Sequence, residues 1–498
     1  VEAQTSRMNR LGLEHIVAKD VPLASAREIK VLQIGEGNFL RGFFDWMIHE
    51  CYKKEVFDGG IVVTQPRPSG KKKLDELRHQ DGLYTLMTRG LQNGKKVDTN
   101  EIISVFTETI DPYSEWSQFM ALAENPTLEF VVSNTTEAGL TYQKSDLVEG
   151  VPIESFPGKL TAFLYRRYQH FHGDTKKGLV LLPCELLARN GDTLKACVLQ
   201  HSQDWQLPDP FVEWLNEHNL FLNSLVDRIV PGYPAAEAET WFSEWGYQDA
   251  MLNVTEPYHL WVIEGDLALD ERLPLQKAGL NVHWVEDLTP YQVRKVRILN
   301  GLHTLMTPMA MLHGLKEVRE TVEHPDLGSF IQEAMEHEIV PSLNYDVKTT
   351  MEYAGTVIER FKNPFICHRL ADISLNSLSK FKVRLLPTLL EYVSKQGQLP
   401  DRIVKSFAYL LRFYRVRRVE SEYVGHRFTG EAYQVKDDAE SLAFFSEQWG
   451  SLEANKVSLE ELVENLLSNS ALWGEDLSHC PGLVQRLCME LREMEDVQ

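Results

Sequence analysis

Between positions 295 and 303, Lys295-Val296-Arg297-Ile298-Leu299-Asn300-Gly301-Leu302-His303 collects three side chains suited to moving a proton to or from a hydroxyl. A lysine can act as base or acid, an asparagine amide can donate to a developing alkoxide, and a histidine can orient either partner. On an α-helix turning about 100° per residue, Asn300 and His303 fall about 140° and 80° round from Lys295, within one broad sector. A lysine that exchanges a proton with a hydroxyl near neutrality must have its pKa lowered by roughly 3, about 4 kcal/mol of environmental work. Burial against Ile298, Leu299 and Leu302 is one source of it. The same spacing also describes a surface helix with Lys295, Arg297 and His303 in water, so the surrounding elements have to decide.

The first such element is Ile29-Lys30-Val31-Leu32-Gln33-Ile34, a short strand pattern. It runs into Gly35-Glu36-Gly37-Asn38-Phe39-Leu40-Arg41-Gly42 and then into a helical pattern through Phe44, Met47 and Ile48. Strand, glycine turn and helix is the order a pyrophosphate site requires, because glycine lets backbone approach the phosphates and the helix start offers free N–H groups. Leu40 stands where a third glycine is usual. Gly35, Gly37, Asn38, Phe39 and Arg41 are the candidate cofactor residues here. Apolar runs at Gly60–Thr64, Glu129–Ser133 and Gly178–Leu182 predict further strands of a buried parallel sheet. Thr64 and Gln65 end the first of these, the second strand of the chain, followed by Pro66 and Arg67. No acid stands there to hold a ribose, so the residues leave NAD and NADP both open. Asn134, Thr135, Thr136 and Glu137 follow a strand end, where cofactor contact and helix capping are both compatible readings.

From about residue 288 helical periods dominate, through 318–327, 330–343, 385–393, 403–413, 459–467 and 483–494. Segment 414–438 reads as an exposed excursion. The expected organisation is an N-terminal extension over 1–27, a Rossmann-like parallel-sheet α/β domain over 28–287, and an all-α domain over 288–498 carrying substrate and catalytic groups. Lys295 to His303 then falls just past a domain junction, where small-molecule sites tend to lie.

A net charge of −21 over 498 residues argues against nucleic acid as a partner. No apolar run approaches the length of a membrane span. The first seven residues lack the apolar stretch of a signal peptide, and six scattered cysteines without a Cys-x-x-Cys pair suit reduced thiols in a cytoplasmic protein with no structural zinc. No metal site is expected near the 295–303 motif.

Six ordered segments carry a family likeness: Gly35–Arg41, Asp81–Thr85, Ser133–Gly139, Pro183–Leu186, Leu225–Val230 and Lys295–His303. Over nearly the whole chain from about residue 28, it resembles the polyol-specific long-chain dehydrogenase/reductase family, typified by mannitol dehydrogenase. Within the family it is most similar to the branch that interconverts tagaturonate and altronate. The resemblance implies NAD as cofactor, a metal-independent centre formed by Lys295, Asn300 and His303, and a substrate-pocket lysine at Lys380. One departure is visible: mannitol dehydrogenases carry a second oxyanion-binding asparagine where this chain has Leu186, which favours the tagaturonate branch.

A uronate brings a carboxylate, and burying it requires a cation. Arg369, Lys380, Lys382 and Arg384 lie within sixteen residues of an otherwise acidic chain. Arg369 and Lys380 are the candidate carboxylate partners, against a solvated helix face. Asp227 and Arg228 form a surface pair or line the pocket. Rival readings are fructuronate or an uncharged polyol such as mannitol as substrate. A nucleotide-sensing protein without turnover is the rival from a different class, and the presence of Lys295, Asn300 and His303 together speaks against it.

Overall fold

A computed structural model describes residues 9–17, 24 and 27–496, so most of the expected N-terminal extension lies outside the described residues. The chain forms two compact units: residues up to 92 with 96–288, and residues 93–95 with 289–498.

The first unit is built on six parallel strands: β1 (Ile29–Ile34), β2 (Gly60–Thr64), β3 (Phe106–Ile110), β4 (Phe130–Ser133), β5 (Val180–Pro183) and β6 (Leu220–Phe221). Their order across the sheet is β3-β2-β1-β4-β5-β6. This is the doubly wound arrangement, with its switch point between β1 and β4. The apolar runs are continuous because both faces are covered. Val31, Ile61, Val63 and Val132 pack into one core with Phe43, Phe44, Met47 and Trp261. Leu32, Ile34, Val62 and Val131 pack into another with Phe119, Leu160 and Phe163. Period-2 alternation is present, but with both sides apolar it is invisible in the sequence. The short helices α1 (Asn38–Arg41) and α2 (Phe44–Lys53) follow β1.

Two strands unseen in the sequence pattern, Leu83–Gln92 and Lys95–Ser104, meet at Asn93-Gly94, both at positive φ (53° and 73°). That is the turn an Asn-Gly pair favours between strands. A further sheet sets Ser224–Asp227 antiparallel to Leu260–Glu264, which pairs in parallel with Val282–Val285.

The second unit is mostly helical. At its centre α3 (Gly301–Leu312) is buried along its whole length. Round it stand α4 (Val347–Phe361), α5 (Ser377–Arg384) and α6 (Asp401–Phe413). The expected run from 318 to 327 breaks at Pro325, whose preceding residue His324 is extended at φ −68° and ψ 130°. The all-helical expectation needs one correction: segment 414–438 holds a three-stranded antiparallel meander, Val416–Val419, Glu422–His426 and Ala432–Val435. Its outward residues are mostly charged or polar, only Val416, Gly425, Tyr433 and Val435 are buried, and no apolar run signals it.

His259 in the first unit accepts the Asn281 N–H on Nε2 at 3.0 Å and faces the Pro257 carbonyl through Nδ1 at 3.4 Å. Burial first, and Arg228 beside it, push its pKa down to about 4. The folded state thus holds it neutral while the unfolded chain takes up a proton below about pH 6.5, so stability present above that value is lost as pH falls towards 4. The loss amounts to as much as roughly 3 kcal/mol. Unfolding curves at pH 7 and 4.5 are expected to show a larger acid loss in the parent than in His259→Gln; equal losses would count against this.

Candidate active site

In the first unit the glycine turn is wedged between strand ends. Gly35 sits at φ +133°, donates its N–H to the Thr64 carbonyl at 2.8 Å, and has no room for a Cβ, which would lie 2.7 Å from the Asn134 carbonyl oxygen. Gly37 differs. Its φ of −68° suits any residue and a Cβ there would meet nothing within 4 Å. Protein packing does not require glycine at 37, whereas a phosphate group lying against the backbone would.

Other candidates from the sequence hold the turn in shape. Arg41, fully buried, donates to the Glu36 carbonyl at 3.2 Å, to Asn38 Oδ1 at 2.8 Å and to the Met251 carbonyl. Burial lowers its pKa, partly offset by Tyr84, Asp249, Asp45 and Glu36. Phe39 stacks on Phe43 at 4.9 Å. Thr64 donates its hydroxyl to the Gln33 carbonyl at 3.2 Å, and Gln65 donates to Asp111 Oδ1 at 3.0 Å. Asn134 donates to the Cys184 carbonyl at 2.8 Å. Thr135 gives its N–H and its hydroxyl to Glu185 Oε1 at 2.9 and 3.1 Å, and Ser133 donates to Glu185 Oε2 at 3.1 Å. Burial raises the Glu185 pKa and these donors pull it back. Thr136 is exposed, and the side chain of Glu137 lies outside the described residues. Leu186 stands 69% exposed, an unusual setting for a leucine.

Asp227 and Arg228 are both buried, which removes the surface-pair reading. Arg228 donates to the carbonyls of Gly42 at 2.8 Å and Glu256 at 2.9 Å, and lies 4.0 Å above the Trp46 ring. It braces the end of the glycine turn from behind.

In the second unit the candidate motif at Lys295 does not begin as an α-helix. Lys295–Asn300 is π-helical, and the α-helical turn resumes at Gly301. A π-turn bonds residue i to i+5, so Asn300 lies about one turn along from Lys295 instead of 140° round. Lys295 and Asn300 are half-buried, Ile298, Leu299 and Leu302 are buried, and the Asn300 amide makes no hydrogen bond among the described residues.

His303 is 8% exposed, with Nε2 buried and unpartnered among the described residues. Its ring lies 4.5 Å from Phe361 and 4.7 Å from His368. Burial, then His368, Arg384, Arg360 and Lys380, push its pKa well below the ordinary value, so the ring is neutral at neutral pH. Lys380 donates to the Ile373 carbonyl at 2.7 Å, and Arg384 to Thr304 Oγ1 at 3.4 Å. Arg369, by contrast, is an exposed residue that forks onto Asp372 at 3.0 Å. Of the two carboxylate candidates, the structure groups Lys380 with His303.

Arg360 and His368 were not among the sequence candidates. Arg360 has a readable signal: it occupies the apolar stripe of α4 with Tyr353, Ala354, Val357 and Phe361, where a charge is costly unless something meets it. Among the described residues no group of three or more His, Cys, Asp or Glu is placed to hold a metal ion, and no helix is long and apolar enough to cross a membrane. The arrangement sets a lysine, an amide donor and a neutral imidazole along one stretch of helix, with Arg384, Arg360 and Lys380 acting on the imidazole.

Two family profiles match in tandem: the mannitol dehydrogenase Rossmann domain over residues 29–277 and the mannitol dehydrogenase C-terminal domain over 287–495. The altronate oxidoreductase of Bacillus subtilis is 45% identical over 468 residues, covering 94% of this chain and 93% of that one. The altronate oxidoreductase of Pectobacterium atrosepticum is 43% identical over 464 residues, covering 93% and 94%. Among solved structures, D-sorbitol dehydrogenase in substrate-free form superposes with a TM-score of 0.78 at 22% identity, covering 99% of each chain. Pseudomonas fluorescens mannitol 2-dehydrogenase, in a ternary complex with NAD and D-mannitol, gives 0.65 at 21% identity, covering 98% and 97%. At that identity the two structures bear on the fold alone.

Gly37→Val should fold normally yet lose dinucleotide affinity in a fluorescence titration, since its side chain enters space open in the protein. Gly35→Val should instead lower the melting temperature, through the clash with Asn134. A folded Gly37→Val with parental affinity would move the cofactor site elsewhere.

Proposed function

We propose that this chain, which belongs to the mannitol dehydrogenase family and is an NAD-dependent oxidoreductase acting on CH–OH groups, reversibly reduces tagaturonate to altronate. The observation that carries this reading is the surround of His303, where the cations Arg360, Lys380 and Arg384 act together on one buried ring that also lies 4.7 Å from the His368 ring. Asp437 acts on Lys380 and Asp372 on His368. A hexuronate supplies a carboxylate to such a site and an uncharged polyol does not. The relatives named altronate oxidoreductase, matched over more than nine-tenths of this chain, support the same substrate.

NAD, when bound, accepts the hydride of alcohol oxidation, and in its reduced form supplies it for ketone reduction. The protein's residues handle the proton and the charge. Lys295 Nζ takes the hydroxyl proton in the oxidative direction and returns it to the carbonyl oxygen in the reductive one. Asn300 donates a hydrogen bond to that oxygen as negative charge builds on it, a contribution of about 3–4 kcal/mol for one well-placed donor. The neutral ring of His303 presents Nε2 to a substrate hydroxyl. Lys380 and Arg384 meet the carboxylate. An ammonium and an amide thus supply the electrostatic help that a metal ion gives in other dehydrogenases.

NADH oxidation measured side by side on tagaturonate, fructuronate and fructose should be fastest with tagaturonate. A faster rate on either rival would reassign the substrate, and NADH binding without turnover on any sugar acid would favour the sensing role. Lys295→Ala should cut turnover by roughly 10²–10⁴-fold with NADH affinity unchanged. A loss of only a few-fold would mean that another group moves the proton.

Lys380→Ala should raise the KM for tagaturonate at least about tenfold more than that for an uncharged ketose, the difference expected if its charge meets the carboxylate. Equal changes on both substrates would remove Lys380 from that role.

A further inference from the structure

Dinucleotide-binding folds of this topology hold the adenosine ribose with a carboxylate at the end of the second strand. This chain has none there. β2 ends at Thr64, whose hydroxyl turns back to Gln33, and Gln65-Pro66-Arg67 follow. Asp111, at the end of the neighbouring β3, is occupied by Gln65, by the Tyr113 N–H at 3.0 Å and by the Ser114 hydroxyl at 2.7 Å.

A carboxylate reaches this place from another element. Glu36, inside the glycine turn after β1, extends its side chain to the 3₁₀ turn Pro68–Gly70 that follows β2. A Cβ on Gly70 would stand 2.8 Å from Glu36 Oε1 and 2.7 Å from Gln65 Cβ, so both side chains lie against that glycine. Glu36 is only 7% exposed, and its Oε2 has no hydrogen-bond partner among the described residues. Gln65 Oε1 is unpartnered in the same way. A buried carboxylate oxygen facing no donor is costly to keep, and such atoms concentrate where a ligand completes them. Burial raises the Glu36 pKa, while Lys73, Arg41 and Arg67 favour its charged form.

We propose that Glu36 replaces the acid missing after β2: it accepts a hydrogen bond from the ribose 2′-hydroxyl and so selects NAD over its 2′-phosphorylated form. This rests on the reading of the first unit as a dinucleotide site. Exposed Arg67 and Lys73 would by themselves welcome a 2′-phosphate. The Glu36 carboxylate beside them both offsets their charge and repels the phosphate, which makes one residue responsible for preference in both directions.

The test measures binding to the whole protein without turnover, by fluorescence titration of NADH, 2′-deoxy-NADH and NADPH. The parent should bind 2′-deoxy-NADH about 10–100-fold more weakly than NADH, the range for a hydrogen bond to a charged group. Glu36→Gln should bind those two within a few-fold of each other and bind NADPH several-fold more tightly than the parent does. Gly70→Ala, which keeps the carboxylate and crowds it, should shift preference in the same direction. The proposal is overturned if the parent does not distinguish NADH from its 2′-deoxy form, or if a folded Glu36→Gln keeps the parental ratio of NADH to NADPH affinity. Should Glu36→Gln fail to fold, the analogue series on the parent and on Gly70→Ala decides. A parent that binds neither NADH nor NADPH would instead refute the dinucleotide reading beneath it, whereas NADH binding with unaltered preference in Glu36→Gln refutes the role of Glu36 alone.

Discussion

Positive charge held away from water is costly unless its donors are met, and that constraint organises both units of this protein. In the first unit the requirement is largely met internally, although Arg228 Nη2 has no hydrogen-bond partner among the described residues. Arg41 and Arg228 direct their guanidiniums at backbone carbonyls around the glycine turn, at Glu36 and Met251 from one and at Gly42 and Glu256 from the other. Because a guanidinium donates in fixed directions, each bond also fixes the position of the loop it meets. The turn is therefore shaped by groups that do not need to touch a ligand. In the second unit Lys380 and Arg384 donate to the Ile373 carbonyl and the Thr304 hydroxyl, and the same cations act on His303.

The same distinction separates scaffold from site within the nucleotide-binding half. Gly35, Arg41, Thr64, Asn134 and Thr135 all have partners inside the protein, and their effect on a ligand passes through the shape they hold. Among the described residues Gly37, Glu36 Oε2 and Gln65 Oε1 do not: the first faces open space and the others lack donors. Local features that packing does not explain are where function is expected to lie. The π-turn at Lys295–Asn300 belongs with them. Its extra residue weakens the helix ladder, and the return is a lysine and an amide about one turn apart on the flank of a fully buried helix.

Much of this was legible from residue order. β1, β2, β4 and β5 were readable as apolar runs, the glycine turn by its composition, and the proton-transfer trio by residue type. The strand β3 and the meander at 416–435 were not, because their patterns are short or mostly polar, and the hairpin was marked only by its Asn93-Gly94 turn, since Lys95–Ser104 is largely polar. Arg360 carried a signal, a charge on an apolar helical stripe, but nothing in its neighbourhood along the chain showed what it faced.

Residue types and spacing by themselves determined the alternation of strands and helices, the two-part organisation and the chemistry that Lys295, Asn300 and His303 could perform, since these depend on local periodicity and on functional groups. Tertiary structure alone decided which charges share a site. It grouped Lys380, Arg384 and Arg360 at His303, left Arg369 on the surface with Asp372, buried Arg228 behind the glycine turn, and brought Glu36 to the end of a strand whose own sequence has no acid. The physical reason is that electrostatic interaction and desolvation depend on distance and burial in space, and neither quantity is set by separation along the chain.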